Sequence, residues 1–561
     1  MKVMATEIKI FCKNLNEHVS VTGGESLLEV FARLRECIGK DAICATVNNQ
    51  VRSLHFKVYS PVQVEFMDAS SRLGDRVYLL SLCMLLYKAV RDVYPGAVLR
   101  MEHSVANGTF CLLQREGLEV DAQAVEAIRK RMVEIADADM PILPNTELTK
   151  DVVEKLKAQG LGDKAQVIAA THNLYTTYFT IDDTIDTYYS ELAPSTACMK
   201  PFNLVAYKGG MLLLPRDVNN PAVACREICQ DKVFEAFKEY GKLNEIIGIK
   251  NVEEVNRAVR NRYDIRMLIT VAEAVHERKF VGIASEIARR YKEGGARVVL
   301  LAGPSSSGKT TSSKRLAVQL MANLLVPKVI SLDNYFVDRH KTPVDEHGEK
   351  DYESLYALDL EQFNNDLNDL IAGKEVAMPT YNFETGTREY RGEKLRLGEN
   401  TVLLMEGIHG LNPELTASIA DDQKFRVYAS ALSTINIDDH NWLTTSDNRL
   451  LRRIVRDYKY RGTGACETIA RWPSVRRGEK KWIFPYQENA DAIFNSSLIF
   501  ELGVMRQYAE EILRRVPRDA DEYAEASRLL NLLSFFEPIS SNCVPGNSLL
   551  REFLGGSIFH Y

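Results

Sequence analysis

The chain has 561 residues, 45% of them hydrophobic and 26% charged, with a net charge of −6. That length is too great for one hydrophobic core, so roughly two to four domains are expected of an ordinary globular protein. The charge balance gives no general reason to expect nucleic-acid binding, which would need a local basic patch.

The first residues, Met1-Lys-Val-Met-Ala-Thr-Glu-Ile, hold no apolar core of signal-peptide length. The longest oily helix candidate, Tyr78 to Val90, is interrupted by Lys88 and too short to span a bilayer. The ten cysteines are scattered; the closest pair, Cys225 and Cys229, makes a poor zinc signature. Reduced thiols, a cytoplasmic location and no membrane partner are expected.

Within residues 6–67, Glu7–Cys12 alternates as a strand and Ser26–Ile38 has helical spacing, with Ser26 as N-cap. Ala42–Val47 reads as a strand, Asn48-Asn49 as a turn and Val62–Phe66 as a last strand. This order resembles the TGS domain at the N-terminus of threonyl-tRNA synthetases. Ala89–Pro95, Asn107–Phe110 and the helix Asp121–Ala136 resemble the next, editing-type domain of those enzymes. That domain carries four metal ligands. Here its two histidine positions fall on Leu80 and Met84, Cys198 matches its later cysteine, and the last ligand position falls on Phe202. The resemblance thus implies an editing domain without its metal chemistry. His103 and His172 are expected as partly exposed polar residues. Residues 220–292 read as a helical connector, with Asn251–Val275 as one periodic run.

Gly303-Pro-Ser-Ser-Ser-Gly308-Lys309-Thr310 follows the apolar run Val298–Ala302 and precedes a helix-compatible stretch. This is G-x-x-x-x-G-K-[ST] in strand–loop–helix context, a phosphate-binding loop. Its backbone N–H groups and helix N-terminus would hold a triphosphate, with Lys309 on the β/γ-phosphates and Thr310 on Mg²⁺. Val298–Leu301, Val329–Leu332, Val402–Glu406 and Arg426–Ser430 are short apolar runs separated by helical stretches, the pattern of a parallel α/β sheet. Asp333, at the end of the second run, is placed either as the base for an acceptor hydroxyl or as a helix cap. Glu406 closes Val402-Leu-Leu-Met, as a Mg²⁺-holding acid or one half of a surface pair. Arg449, Arg452, Arg453 and Arg456 share a helix face. Either a triphosphate answers their charge, or the face is solvated or touches RNA. The oily face Leu529, Leu530, Leu532, Leu533, Phe535 and Phe536 suits packing onto the core or a homo-oligomer interface.

Together with Asp351-Tyr352-Glu353, Pro379-Thr-Tyr381-Asn-Phe383, Glu406-Gly407-Ile408, Arg449–Gly462 and Ala490-Asp491, these motifs resemble the uridine kinase/phosphoribulokinase family over about 295–503. The resemblance implies transfer of the ATP γ-phosphoryl to the 5′-hydroxyl of a nucleoside, with ATP and Mg²⁺ as cofactors. It implies Asp333 and Lys309 as catalytic. Gly303, Ser305, Ser306, Ser307, Gly308, Lys309, Thr310, Thr311, Arg456 and Arg461 would bind the nucleotide, and Thr310 and Glu406 the metal. Tyr335, Tyr352, Glu353, Tyr381, Phe383, Arg388 and Arg453 would bind the acceptor. Where the family usually carries a base-reading histidine, this chain has Gly386, which leaves pyrimidine, purine and other polyol acceptors open.

The expected fold class is α/β: a P-loop NTPase kinase domain with a parallel sheet at 293–561. A TGS-like α+β domain at 1–68, a synthetase editing-like α+β domain at 69–220 and a connector at 221–292 precede it. The competing expectation is an RNA- or ribosome-associated regulatory ATPase.

Overall fold

The computed structural model describes residues 7–346 and 348–560. The first sheet has the order Glu17–Thr22, Glu7–Cys12, Gln63–Met67, Cys44–Val47, Gln50–Arg52. The helix Leu27–Ile38 starts at a full capping box: Ser26 accepts from the Glu29 N–H, and Glu29 accepts from the Ser26 N–H. Two strands escaped the sequence reading. Glu17–Thr22 buries only Val21, and Gln50–Arg52 is three half-buried residues, so neither carries a clear apolar period.

The second unit is organised around the helix Arg72–Val93, in which Leu80 and Met84 are buried. A four-stranded sheet, Asn203–Tyr207, Gly210–Leu214, Gly108–Gln114 and Val98–Val105, and the helix Ala122–Asp137 belong to the same unit. Asp121 caps that helix.

The segment expected as a connector is built into its neighbours. It forms three helices, Asp231–Ile246, Val252–Arg260 and Arg262–Lys292. The expected single run Asn251–Val275 breaks at Asn261, whose side chain caps the third helix. That 31-residue helix buries Phe280, Ile283, Ala284, Ile287 and Ala288 against Val299, Leu301, Phe425 and Val427 of the C-terminal sheet. Its Glu273 and Glu277 pair with the buried Arg315. The helix Asp231–Ile246 reaches the other way. Its Phe237 stacks on His103 with centroids 3.8 Å apart. His103 is half-buried, as expected, but desolvation among Phe110, Phe234 and Phe237 drives its pKa down to about 3, so the ring is neutral. His172 is exposed.

The C-terminal sheet is fully parallel, ordered Val326–Ser331, Thr401–Gly407, Val298–Ala302, Lys424–Ser430, Ala492–Asn495. An antiparallel hairpin, Val376–Asn382 with Thr387–Leu395, stands beside it. In the tail, Leu529, Leu532 and Leu533 are fully buried and pack with Leu450, Leu451 and Trp472. The oily face is thus spent on the core.

The two halves meet through polar contacts as well. Met101 N–H donates to the Asp439 carbonyl at 2.7 Å, and Asn436 Nδ2 donates to the Met101 carbonyl at 2.6 Å. Lys164 lies fully buried between Asp186 and Asp438, and Asp186 also holds His440. Among the described residues, no helix is long and apolar enough to cross a membrane.

Candidate active site

Three strand ends converge. In register, Glu406 lies between Leu301, two residues before Gly303, and Ser331, two residues before Asp333. Adjacent parallel strands therefore bring the loop, the strand-terminal Asp and the acid after the apolar run to one edge.

The loop's shape follows from its glycines. A Cβ on Gly303 would lie 1.9 Å from the Ala429 carbonyl oxygen, so only glycine fits. Gly308 has φ +81° and starts the helix Lys309–Ala322. Lys309 Nζ donates to the Pro304 carbonyl at 3.0 Å. The hydroxyls of Ser306 and Ser307 are buried and have no partner among the described residues. The Thr310 hydroxyl lies next to the Glu406 carboxylate. Burial pushes the Glu406 carboxyl up to about 7, with Lys309 opposing and Asp333 adding to the rise. Two adjacent oxygen donors, one an acid that gains from a nearby cation, suit a hard divalent ion such as Mg²⁺.

Asp333 is capped from behind, its N–H donating to Ser331 Oγ at 3.3 Å. Burial raises its pKa, and Lys309, Arg461 and Arg456 pull it back. These four expected residues therefore share one neighbourhood.

The arginine face differs from expectation. Arg449 and Arg452 are fully buried and already paired, with Glu479 and Glu501. Both acids come from helices later in the chain, Ala465–Trp482 and Glu501–Leu513, so the arginines' own helix, Thr445–Arg461, gave no sign of them. The two arginines brace the loop instead. Arg449 Nη1 donates to the Ser305 carbonyl at 3.1 Å, and Arg452 Nη1 lies 3.5 Å from the Ser306 carbonyl. Arg453 Nη1 donates to Ser305 Oγ at 3.0 Å. Arg453, Arg456 and Arg461 converge on Asp457, which the sequence reading passed over.

Of the residues expected to bind the acceptor, Glu353 presses against Gly478, where a Cβ would lie 2.3 Å from the Glu353 Cβ. Burial pushes its carboxyl up to about 7, with Glu479 adding to the rise and Arg453 and Lys309 opposing it. Tyr381 is buried and meets the exposed Phe383 edge-to-face at 5.1 Å. Tyr352 is about half exposed, at 49%. Arg388 is held by Asp359 at 2.8 Å. Tyr335, expected among them, lies in the core instead. It is 1% exposed, packs on Phe363, and its hydroxyl donates to Asp366 at 3.1 Å. Its apolar ring next to the sheet is better served by the core.

Gly386 is not simply a lost side chain. It has φ +72°, and a Cβ there would lie 2.7 to 2.9 Å from the Arg339 side chain. Arg339 N–H donates to the Gly386 carbonyl at 2.7 Å, and its guanidinium donates to the Phe383 carbonyl and to Tyr381. The sequence reading missed Arg339, because only the fold lays it over Gly386.

Residues 298–499 match the phosphoribulokinase / uridine kinase family. Uridine kinases of Staphylococcus epidermidis and Staphylococcus aureus are each 28% identical over 197 residues, covering 35% of this chain and 86% of theirs. Among solved structures, a possible uridine kinase from Bacillus stearothermophilus aligns at 20% identity with a TM-score of 0.25, covering 36% of this chain and 89% of that one. A putative fructose transport system kinase from Silicibacter sp. TM1040 aligns at 18% identity with a TM-score of 0.29, covering 38% and 98%. The C-terminal region 298–499 is a P-loop domain of the phosphoribulokinase/uridine kinase family.

Proposed function

We propose, starting from that P-loop kinase domain, that the chain is an ATP-dependent nucleoside kinase that phosphorylates a 5′-hydroxyl. The observation that carries this reading is the grouping of Lys309, Asp333 and Glu406 at adjacent strand ends. The grouping of Tyr381, Phe383 and Arg339, with Glu353 near Lys309, Arg453 and Asp333, supports a kinase over a plain ATPase, which needs no acceptor-binding residues.

The loop Gly303–Thr311 binds the triphosphate through its N–H groups. Asp333 accepts the acceptor's hydroxyl proton as that oxygen attacks the γ-phosphorus. The bond from the γ-phosphorus to the β–γ bridging oxygen breaks, and ADP departs with the electron pair. Lys309, Arg456 and Arg461 stabilise charge on the moving phosphoryl group. Thr310 and Glu406 would hold Mg²⁺, which supplies further charge neutralisation. Glu353 accepts hydrogen bonds from the sugar hydroxyls. Tyr381, Phe383 and Tyr352 supply aromatic surface for a base, and Arg339 offers N–H donors to its edge. Those donors favour a base that presents carbonyl or ring-nitrogen acceptors.

The editing-like unit braces the 432–443 segment that leads into the lid helix Thr445–Arg461, through Met101, Lys164 and Asp186. A coupled ADP-release assay with MgATP tests the reading. Release that requires a nucleoside supports it; release indifferent to every acceptor refutes it.

A further inference from the structure

The C-terminal segment lies on the phosphate loop. Leu549 Cδ2 comes within 3.5 Å of where a Gly308 Cβ would be. Phe553 is fully buried, with the Arg452 guanidinium 5.3 Å above its ring. Lys459 of the lid helix donates to the Leu554 carbonyl, and Lys314 of the loop's helix donates to the His560 carbonyl. Between these anchors sits Glu552. Its Oε2 accepts from the Thr311 N–H at 3.1 Å and from the Thr311 hydroxyl at 2.7 Å.

Thr311 is the third residue of the helix Lys309–Ala322. The N–H groups of a helix's first turn have no acceptor within the helix. In a loop of this type they are among the donors that hold phosphate oxygens. A carboxylate oxygen at 3.1 Å from that nitrogen fills the place where a phosphate oxygen would accept. The two cannot share it, by volume or by charge.

We propose that Glu552 is an internal anion of the phosphate site, which holds the Thr311 donors until a polyphosphate displaces it. The flanking Leu550 and Phe553 are buried, so the turn Arg551–Leu554 stays in place and the Glu552 side chain swings aside. The carboxylate thereby sets a threshold that a ligand must overcome with its own negative charge. This inference rests on the P-loop reading of Gly303–Thr311 and on no particular acceptor.

The test measures binding of MgATP and of inorganic tripolyphosphate to the full chain by calorimetry, without acceptor. Glu552→Gln removes the charge and keeps the shape, and should tighten both probes by about three- to thirtyfold, the range expected for a charge at a helix N-terminus. Should that variant melt below the assay temperature, Glu552→Asp withdraws the charge by one methylene and should tighten binding about threefold. Wild-type binding with equal or weaker affinity in the folded variant overturns the proposal alone. Failure of wild type and variant to bind either probe overturns the P-loop reading, and the proposal with it.

Discussion

Arg452 and Glu501 meet as a bidentate pair, Nη2 to Oε2 at 2.6 Å and Nε to Oε1 at 3.0 Å, with both side chains buried. The same guanidinium donates to the Ser496 carbonyl at 2.8 Å. An arginine this fully engaged is structural. Arg452→Ala should cost about 3–5 kcal/mol by stranding Glu501, read by denaturant unfolding. Arg456, whose partner Asp457 lies on the same helix, should behave oppositely. Arg456→Ala should leave the unfolding midpoint nearly unchanged and lower kcat by about tenfold or more.

Asp333 stands half-buried near Lys309, Arg456 and Arg461. As the base, it should be needed for turnover and hardly at all for nucleotide binding. Asp333→Asn should lower kcat by about 10²–10⁴-fold while the MgATP Kd stays within about threefold. Lys309→Ala should lower kcat by about 10² or more. Steady-state kinetics alongside calorimetry separates the two effects, and wild-type kcat in Asp333→Asn would remove its assignment.

Glu353 titrates near neutrality because burial raises it from 4.5 to about 7. It accepts sugar hydroxyls best when ionised. Acceptor kcat/KM should therefore rise with pH up to about 7 and then level off, with Glu353→Gln low and rising less steeply across the same range, since Glu406 also titrates there. The sign for stability is the reverse. Between about 4.5 and 7 the unfolded chain has released the proton that the folded chain keeps, so this group's contribution to stability falls as pH rises. Unfolding of Glu353→Gln should lack that decline.

Arg339 lies over Gly386. Arg339→Ala should raise the acceptor KM by about tenfold, the loss of one or two hydrogen bonds from a charged donor, with kcat within about threefold. Gly386→Ala should give a similar loss, because its Cβ would collide with Arg339 and the backbone is left-handed there. Equal KM values for both variants and wild type would remove Arg339 from the acceptor site.

The sequence exposed the parts of this fold whose signal is local. The loop Gly303–Thr310, the apolar strands and the Ser26 cap depend on neighbours a few residues away, and each was legible. What depended on distant partners was not. Arg449 and Arg452 looked like uncompensated charge because Glu479 and Glu501 lie 30 and 49 residues away. Tyr335 sits in a motif next to Asp333, yet its ring turns into the core. Arg339 and Glu552 reach their places only after folding: one joins the hairpin at Gly386, the other the P-loop helix 241 residues earlier. The helix Arg262–Lys292 looked like a linker because its apolar face had no visible partner before the sheet formed.

The most direct test of the central claim follows the phosphoryl group itself. Purified full-length protein is incubated with MgATP and a panel of nucleosides, and the products are identified by mass spectrometry. The account predicts a nucleoside 5′-monophosphate formed one-for-one with ADP, and none with Asp333→Asn. ADP that appears only with free phosphate, whatever nucleoside is present, or that rises only with added RNA, would contradict it.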